Sequence, residues 1–209
     1  MRLRDIEDAY GDRVEIRWRA FPLIPDTRPG RRSTPHTGET RQRAGAEEPL
    51  AQFVLPPPDV ELPSSSLPAL TAVKGAERQG PAAFAALHHA LFEAQFRDNA
   101  DISRPDVLWR LAEASGLDMA RFERDCASGE PHQAVLRDYA EAVAWFGVSA
   151  LPTVIFNEKV SLVGAVPAEQ YRLLLEWLLA GEPGGLIPLD FSAATSAAGQ
   201  STVAGADAS

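Results

Sequence analysis

The 209-residue chain carries 20 Lys and Arg against 29 Asp and Glu, a net charge of −9. That balance argues against a nucleic-acid binder, which presents a basic face. Its 45% apolar content is that of an ordinary globular protein, large enough for one domain with a core or a domain carrying an insertion. No apolar run reaches the roughly 18 residues of a membrane span, the charged start "MRLRDIEDAY" has no signal-peptide h-region, and the single cysteine, Cys126, excludes an internal disulfide, a CxxC dithiol and a four-thiolate zinc site.

In chain order, Leu3, Ile6 and Tyr10 fall at helical spacing, and Gly11 supplies a left-handed stop. In "RVEIRWRAF", Val14, Ile16, Trp18 and Ala20 alternate with Glu15, Arg17 and Arg19. This predicts a strand over 13–21 with one apolar face. Residues 22–66 are broken by Pro, Gly and Arg and read as an irregular connection, with a short turn around "EEPLAQFV". Its Arg28, Arg31, Arg32, Arg41 and Arg43 have the chemistry to hold an anion, but charge-rich connectors are ordinarily solvated, partly disordered loop, and that reading is adopted.

Residues 67–146 read as a helical block. "LPALTAVKGAERQG" is a short helix. Pro81 opens the next at the favoured first position, with Phe84, Leu87, Leu91, Phe92 and Phe96 as its apolar stripe. Ser103 and Asp106 have capping-box spacing before a helix that Gly116 ends. Asp118 caps "MARFERDCASG". Val135, Tyr139, Ala142, Val143 and Phe146 line one side of the helix that Gly147 closes. Two strands follow, 153–156 and 160–163, joined by a tight turn at Asn157–Lys159 in which Asn157 tolerates a left-handed conformation. Pro167 then starts a last helix with Tyr171, Leu174, Leu175 and Leu178 inward. The tail 183–209 is small and polar and is expected to be disordered.

Helix end, strand, helical insertion, strand, strand, helix is an order that resembles the thioredoxin fold. The stretches "YGDRVEIRWRAFPLIPD", "QGPAAFAALHHALFEAQFRDNADIS" and "FGVSALPTVIFNEKVSLVGAVPAEQYRLLLEWL" resemble the DsbA-like thiol–disulfide oxidoreductases, in the branch with cytoplasmic members and hydroxychromene-carboxylate isomerase relatives. The resemblance implies an α/β thioredoxin-like core, residues 1–24 and 147–182, interrupted by the 25–66 connection and a helical insertion over 67–146. It also implies a cytoplasmic location and, as partners, protein or low-molecular-weight thiols and disulfides.

From composition alone, Pro152 is an ordinary trans proline at a strand's first residue. By the resemblance it is a cis-proline, and Ala150, Leu151 and Pro152 form a substrate-binding edge whose backbone pairs with an extended segment. The family's first strand and its CxxC, whose thiolate a helix N-terminus stabilises, have no counterpart here. No residue is therefore assigned as catalytic. The strands 13–21 and 153–156 lose their common neighbour, and each is left with unpaired backbone groups at about 1–3 kcal/mol apiece when buried. Met1 is accordingly read as an internal methionine, with the strand and motif upstream; a chain complete as given would be redox-dead. The rival functions are a glutathione-using isomerase or transferase, with glutathione as co-substrate, and a non-catalytic peptide-binding module.

Cys126 reads as a packed, inert thiol. His88 lies near the Phe84 and Leu91 stripe and is a possible groove-lining residue, though a plain hydrogen-bonded role is the simpler one. His88 and His89 are adjacent in a helix and cannot face one metal; no cofactor or metal site is read. His36 and His132 suggest nothing.

Overall fold

The computed structural model describes residues 2–48 and 51–182; the tail expected at 183–209, and Pro49 and Leu50 within the expected turn, lie outside them. Contacts divide the chain into two compact units, Met1–Arg17 with Val148–Ser209, and Trp18–Gly147.

In the first unit, helix α1 (Arg2–Tyr10) buries Ile6 and Tyr10. Gly11 takes φ +53 and ends it, as the sequence predicts. Strands β1 (Thr153–Phe156) and β2 (Val160–Val163) pair antiparallel, Thr153 opposite Val163 and Phe156 opposite Val160. On β2, Leu162 is buried while Ser161 and Val163 are exposed, the period-2 pattern of a half-buried strand. Helix α8 (Ala168–Leu179), which follows β2, turns Tyr171 and Leu174 inward. These side chains, with Phe156 and Val166, make one apolar core. In the turn, Lys159 N–H donates to the Phe156 carbonyl at 2.9 Å. Asn157 and Glu158 both take positive φ, +48 and +59.

The strand predicted over 13–21 does not form. Val14 is extended, with φ −133 and ψ 146, but a strand needs a hydrogen-bonded neighbour. The only sheet among the described residues is β1–β2. Alternation in sequence found the extended conformation; it could not supply a partner.

In the second unit, α3 (Leu67–Glu77) is buried at Ala69, Ala72, Val73, Lys74, Gly75 and Ala76. Small residues let neighbouring helices approach closely. A Cβ at Gly75 would stand 3.0 Å from the Phe122 ring and 3.1 Å from Cys126 Sγ. Around it run α4 (Pro81–Phe96), α5 (Pro105–Ala114), α6 (Met119–Ala127) and α7 (Glu130–Ala144). Asp118 accepts from Arg121 N–H at 3.0 Å and caps α6 as expected.

Three expectations for this unit are corrected. The connection 22–66 contains α2 (Pro35–Glu47), whose N-cap Thr34 exchanges hydrogen bonds with Thr37 in a capping box. The signal was a threonine, not the usual Glu or Gln, at the third helical position. That segment is also held by arginines. Arg41 is 6% exposed and donates to Val54 O at 2.7 Å and to Asn99 Oδ1. Arg31 and Arg32 donate to the carbonyls of Pro63 and Asp59. These three cations serve carbonyl oxygens of the backbone and of Asn99. Next, Ser103 does not cap α5: the N-cap is Arg104, without a side-chain bond, and Ser103 donates to Asp101 at 2.5 Å instead. Finally, the inward face of α7 is Pro131, Val135 and Asp138, while Val143 is 44% exposed.

Asp138 is the unexpected core residue. Its carboxylate lies 2.9 Å from Lys74 Nζ and 3.2 Å from Arg19 Nη1, and accepts from the Ala20 N–H at 2.9 Å. Burial pulls the Lys74 ammonium down, but the hydrogen bonds of Glu77 and Asp138 outweigh it, and its pKa is raised above the ordinary 10.5. A raised lysine pKa stabilises the fold fully below the unfolded value. The contribution is lost only as pH climbs through the folded value, in alkali.

Lys74→Met is expected to cost about 3 kcal/mol, the low end for a broken buried pair, because Arg19 and the Ala20 N–H remain. Asp138→Leu should cost a similar amount. The double variant should recover most of the loss in urea denaturation, and strict additivity would show the pair to be uncoupled. At the β1–β2 turn, Glu158→Gly removes a left-handed non-glycine residue and should raise stability by about 0.5–1 kcal/mol, read as a higher urea midpoint.

Candidate functional site

The first unit presents its most distinctive backbone just before β1. The Leu151–Pro152 peptide bond is cis. Ser149, Ala150, Leu151 and Pro152 are all exposed, Leu151 with 41% of its surface accessible. Two bonds fix this corner. Gly164 N–H donates to Pro152 O at 2.7 Å, and Thr153 Oγ1 donates to Ala150 O at 2.7 Å. The N–H and C=O of Leu151 take no partner among the described residues. A short main-chain donor and acceptor therefore stand ready in solvent, flanked by a rigid proline. Such an arrangement has the chemistry to pair with an extended segment through main-chain hydrogen bonds.

The outer edge of β1 is also without a backbone partner among the described residues. It is short, four residues, and none of Thr153, Val154, Ile155 and Phe156 is charged.

His88, the other residue singled out from sequence, belongs to the second unit. It sits in an aromatic ladder along α4. Its ring stacks on Phe84 at 5.2 Å and meets Phe92 edge-on at 5.0 Å. Trp18 packs against it at 5.3 Å. The spacing 84, 88, 92, 96 is one helix row at i, i+4, visible in the sequence once His88 is counted as a ring. Phe92 is 52% and Trp18 40% exposed. His89 points elsewhere, 3.8 Å from Glu93, as adjacent helix positions must.

Cys126 lies in the second unit on α6, half-buried, with its sulfur against Gly75. Burial, and then the neighbouring Asp125 charge, push its thiol pKa up. That is the reverse of the shift a reactive cysteine shows. Among the described residues, no cluster of His, Cys, Asp and Glu is placed to hold a metal ion. Among them, too, no helix is long and apolar enough to cross a membrane.

Comparison with known proteins adds three findings. Residues 1–176 match a family model described as a DSBA-like thioredoxin domain. Two proteins named ClpXP adapter protein SpxH are similar. That of Halalkalibacterium halodurans is 31% identical over 126 residues, 57% of this chain and 40% of the relative. That of Shouchella clausii is 33% identical over 118 residues, 54% of this chain and 39% of the relative. The chain thus spans about two-fifths of the length of these relatives. A solved structure from Nitrosomonas europaea, provisionally described as a protein disulfide isomerase, superposes with a TM-score of 0.63 at 20% identity, covering 86% of this chain and 89% of that one. It shares the fold.

The raised thiol pKa makes a prediction. Iodoacetamide should alkylate Cys126 more slowly in the native chain at pH 8 than after unfolding in urea, with mass spectrometry as the readout. Equal rates would show an accessible, unperturbed thiol.

Proposed function

The chain belongs to the DSBA-like thioredoxin domain family, and from that premise we propose that it is the substrate-docking part of a DsbA-like thiol–disulfide oxidoreductase. On this reading the chain grips an extended, thiol-bearing polypeptide at Ala150, Leu151 and Pro152 but does not itself turn disulfides over. The exposed Leu151 main chain, unpaired among the described residues, carries the reading. It offers one donor and one acceptor to a strand laid alongside, and recognises backbone rather than any one side chain.

The sulfur chemistry has an arithmetic limit. Dithiol–disulfide exchange needs one thiolate to attack a substrate disulfide and a second thiol to resolve the mixed disulfide. This sequence has one cysteine, with its thiol pKa raised and its sulfur packed against a helix. Turnover therefore requires cysteines from outside this sequence. The relatives' name, ClpXP adapter protein SpxH, supports a protein rather than a small molecule as the partner. A chain with no internal disulfide also suits a reducing, cytoplasmic setting.

The test uses a fluorescein-labelled, S-methylated peptide from around a cysteine of the insulin A chain. A second copy is N-methylated at the residue preceding that cysteine. The first peptide should bind. The second should bind about tenfold more weakly, the loss of one or two main-chain hydrogen bonds. The chain should show no turnover in an insulin-reduction assay. Equal binding of both peptides would remove the docking edge from the reading, and robust turnover would overturn the limit set by cysteine count.

A further inference from the structure

We propose that residues 54–58, within the second unit, are a docking ridge held in polyproline II form for the aromatic-lined groove of a separate protein, a role distinct from that of the peptide edge in the first unit. The run is Val54, Leu55, Pro56, Pro57 and Pro58. A proline ring fixes its own φ near about −65° and holds the residue before it to extended or polyproline II backbone. Leu55, Pro56 and Pro57 each precede a proline, and the only cis peptide bond among the described residues is Leu151–Pro152. Covalent structure therefore sets the conformation of the run, which belongs to no sheet.

The unit clamps the run at both ends. Val54 N–H donates to Phe96 O at 2.8 Å, and Val54 O accepts from Arg41 Nη1 at 2.7 Å. Just before it, the Phe53 ring packs on Phe96 at 5.2 Å. At the far end Val60 N–H donates to Pro57 O at 3.1 Å, and Arg32 Nη1 donates to Asp59 O at 3.0 Å. Polyproline II repeats about every three residues, so Leu55 and Pro58 share one edge, while Pro56 and Pro57 stand on the other two. Pro56 is buried, whereas Leu55, Pro57 and Pro58 are exposed, and Val54 is 45% and Leu55 43% accessible. One edge seats the run and two present apolar groups to solvent on a backbone that has little left to order on binding.

The ridge also dictates what meets it. Prolines 56–58 offer no N–H, and the carbonyls of Leu55 and Pro58 take no partner among the described residues. A strand laid alongside would find no donors for its ladder. An anionic lipid surface calls for basic flanks, but Asp59 and Glu61 follow the run. What fits is a side chain that lays a flat face on a proline ring and donates a hydrogen bond from its edge. Trp and Tyr do both, and grooves built from them read proline-rich segments.

The experiment titrates the full ¹⁵N-labelled chain with three probes of different groove geometry, an SH3, a WW and an EVH1 domain, each beside a copy whose groove tryptophan is replaced by alanine. At least one probe should shift the Val54, Leu55 and Asp59 amide resonances saturably, and its tryptophan-less copy should not. Pro57→Ser, checked for an unchanged melting temperature, should weaken that binding about fivefold, through one lost ring contact and one more residue to order. Leu136→Ser, on the exposed side of α7, should leave it unchanged. No saturable shift with any of the probes, equal binding by the tryptophan-less copy, or full affinity in Pro57→Ser would each overturn the assignment. So would a concentration-dependent dimer of the chain alone, seen by sedimentation and lost in Pro57→Ser, which would give the ridge to a second copy. The comparison of each probe with its tryptophan-less copy needs no variant of the chain and stands even if Pro57→Ser fails to fold.

Discussion

The buried carboxylate of Asp138 organises the second unit. Lys74 from α3 and Arg19 from the extended stretch both meet it, and it accepts the Ala20 N–H. That last bond matters most for the chain's course. An extended segment without a neighbouring strand leaves its N–H and C=O groups to be satisfied some other way. At Ala20, 6% exposed, a side chain does what a sheet would have done. The same device recurs down the segment. Ile24 N–H donates to Ser66 Oγ, Ser65 Oγ donates to Ile24 O, and Ser66 N–H returns a bond to Ile24 O. Phe21 packs edge-on against Tyr139 at 5.0 Å. Residues 18–24 are thus stitched to helices by polar side chains, which explains why the boundary between units falls directly after Arg17.

The price of that solution is two nearly buried opposite charges, Lys74 and Asp138, at 9% and 6% exposure. A buried pair contributes little net stability over an apolar pair of equal size. What it contributes here is position. Asp138 has four lone-pair sites, and the Lys74, Arg19 and Ala20 donors approach from three different segments. An apolar side chain at 138 could fill the volume but could not fix the register of the extended stretch against α3 and α7.

Legibility in the sequence followed the kind of force involved. Helices driven by apolar periodicity and punctuated by Pro and Gly were readable: α4 starts at Pro81, α6 at its Asp118 cap, and α1 ends at Gly11. The β1–β2 hairpin was readable from "TVIF", a tight turn and "VSLV". The strand at 13–21 was not, because alternation reports an extended backbone with one apolar face while pairing is a property of a second segment. Helix α2 was hidden by polar composition; "TPHTGETRQRAGAE" has no apolar stripe, and its buried Arg41 is held by Val54 O, Asn99 and Gln95 O. Asp138 was invisible because a carboxylate among apolar neighbours in sequence normally faces water. The exposed corner at Ala150–Pro152 was legible only by family resemblance, since a proline before a strand is ordinary on composition alone. His88 was legible as a ring in one row with Phe84 and Phe92, though its contact with Trp18, from the extended stretch, is not evident from spacing.

Two sets of main-chain groups without partners among the described residues belong to the first unit, and they differ in how each is built to meet an extended segment. The outer edge of β1 is flat backbone over four residues, bounded at one end by Pro152, which has no N–H, and at the other by the left-handed turn at Asn157 and Glu158. Both ends stop an incoming strand from extending its ladder, the usual way a short edge is protected from indiscriminate pairing. Its side chains are part-buried or buried and leave little surface for selectivity. The Leu151 corner is the opposite case. Only one donor and one acceptor are offered, but the backbone there is clamped by Gly164 N–H on Pro152 O and by Thr153 Oγ1 on Ala150 O. A partner laying an extended segment across it orders only its own chain. Preorganisation of this kind raises affinity by lowering the ordering cost on one side of an interface, so the proposed docking role falls on the smaller, stiffer patch rather than on the β1 edge.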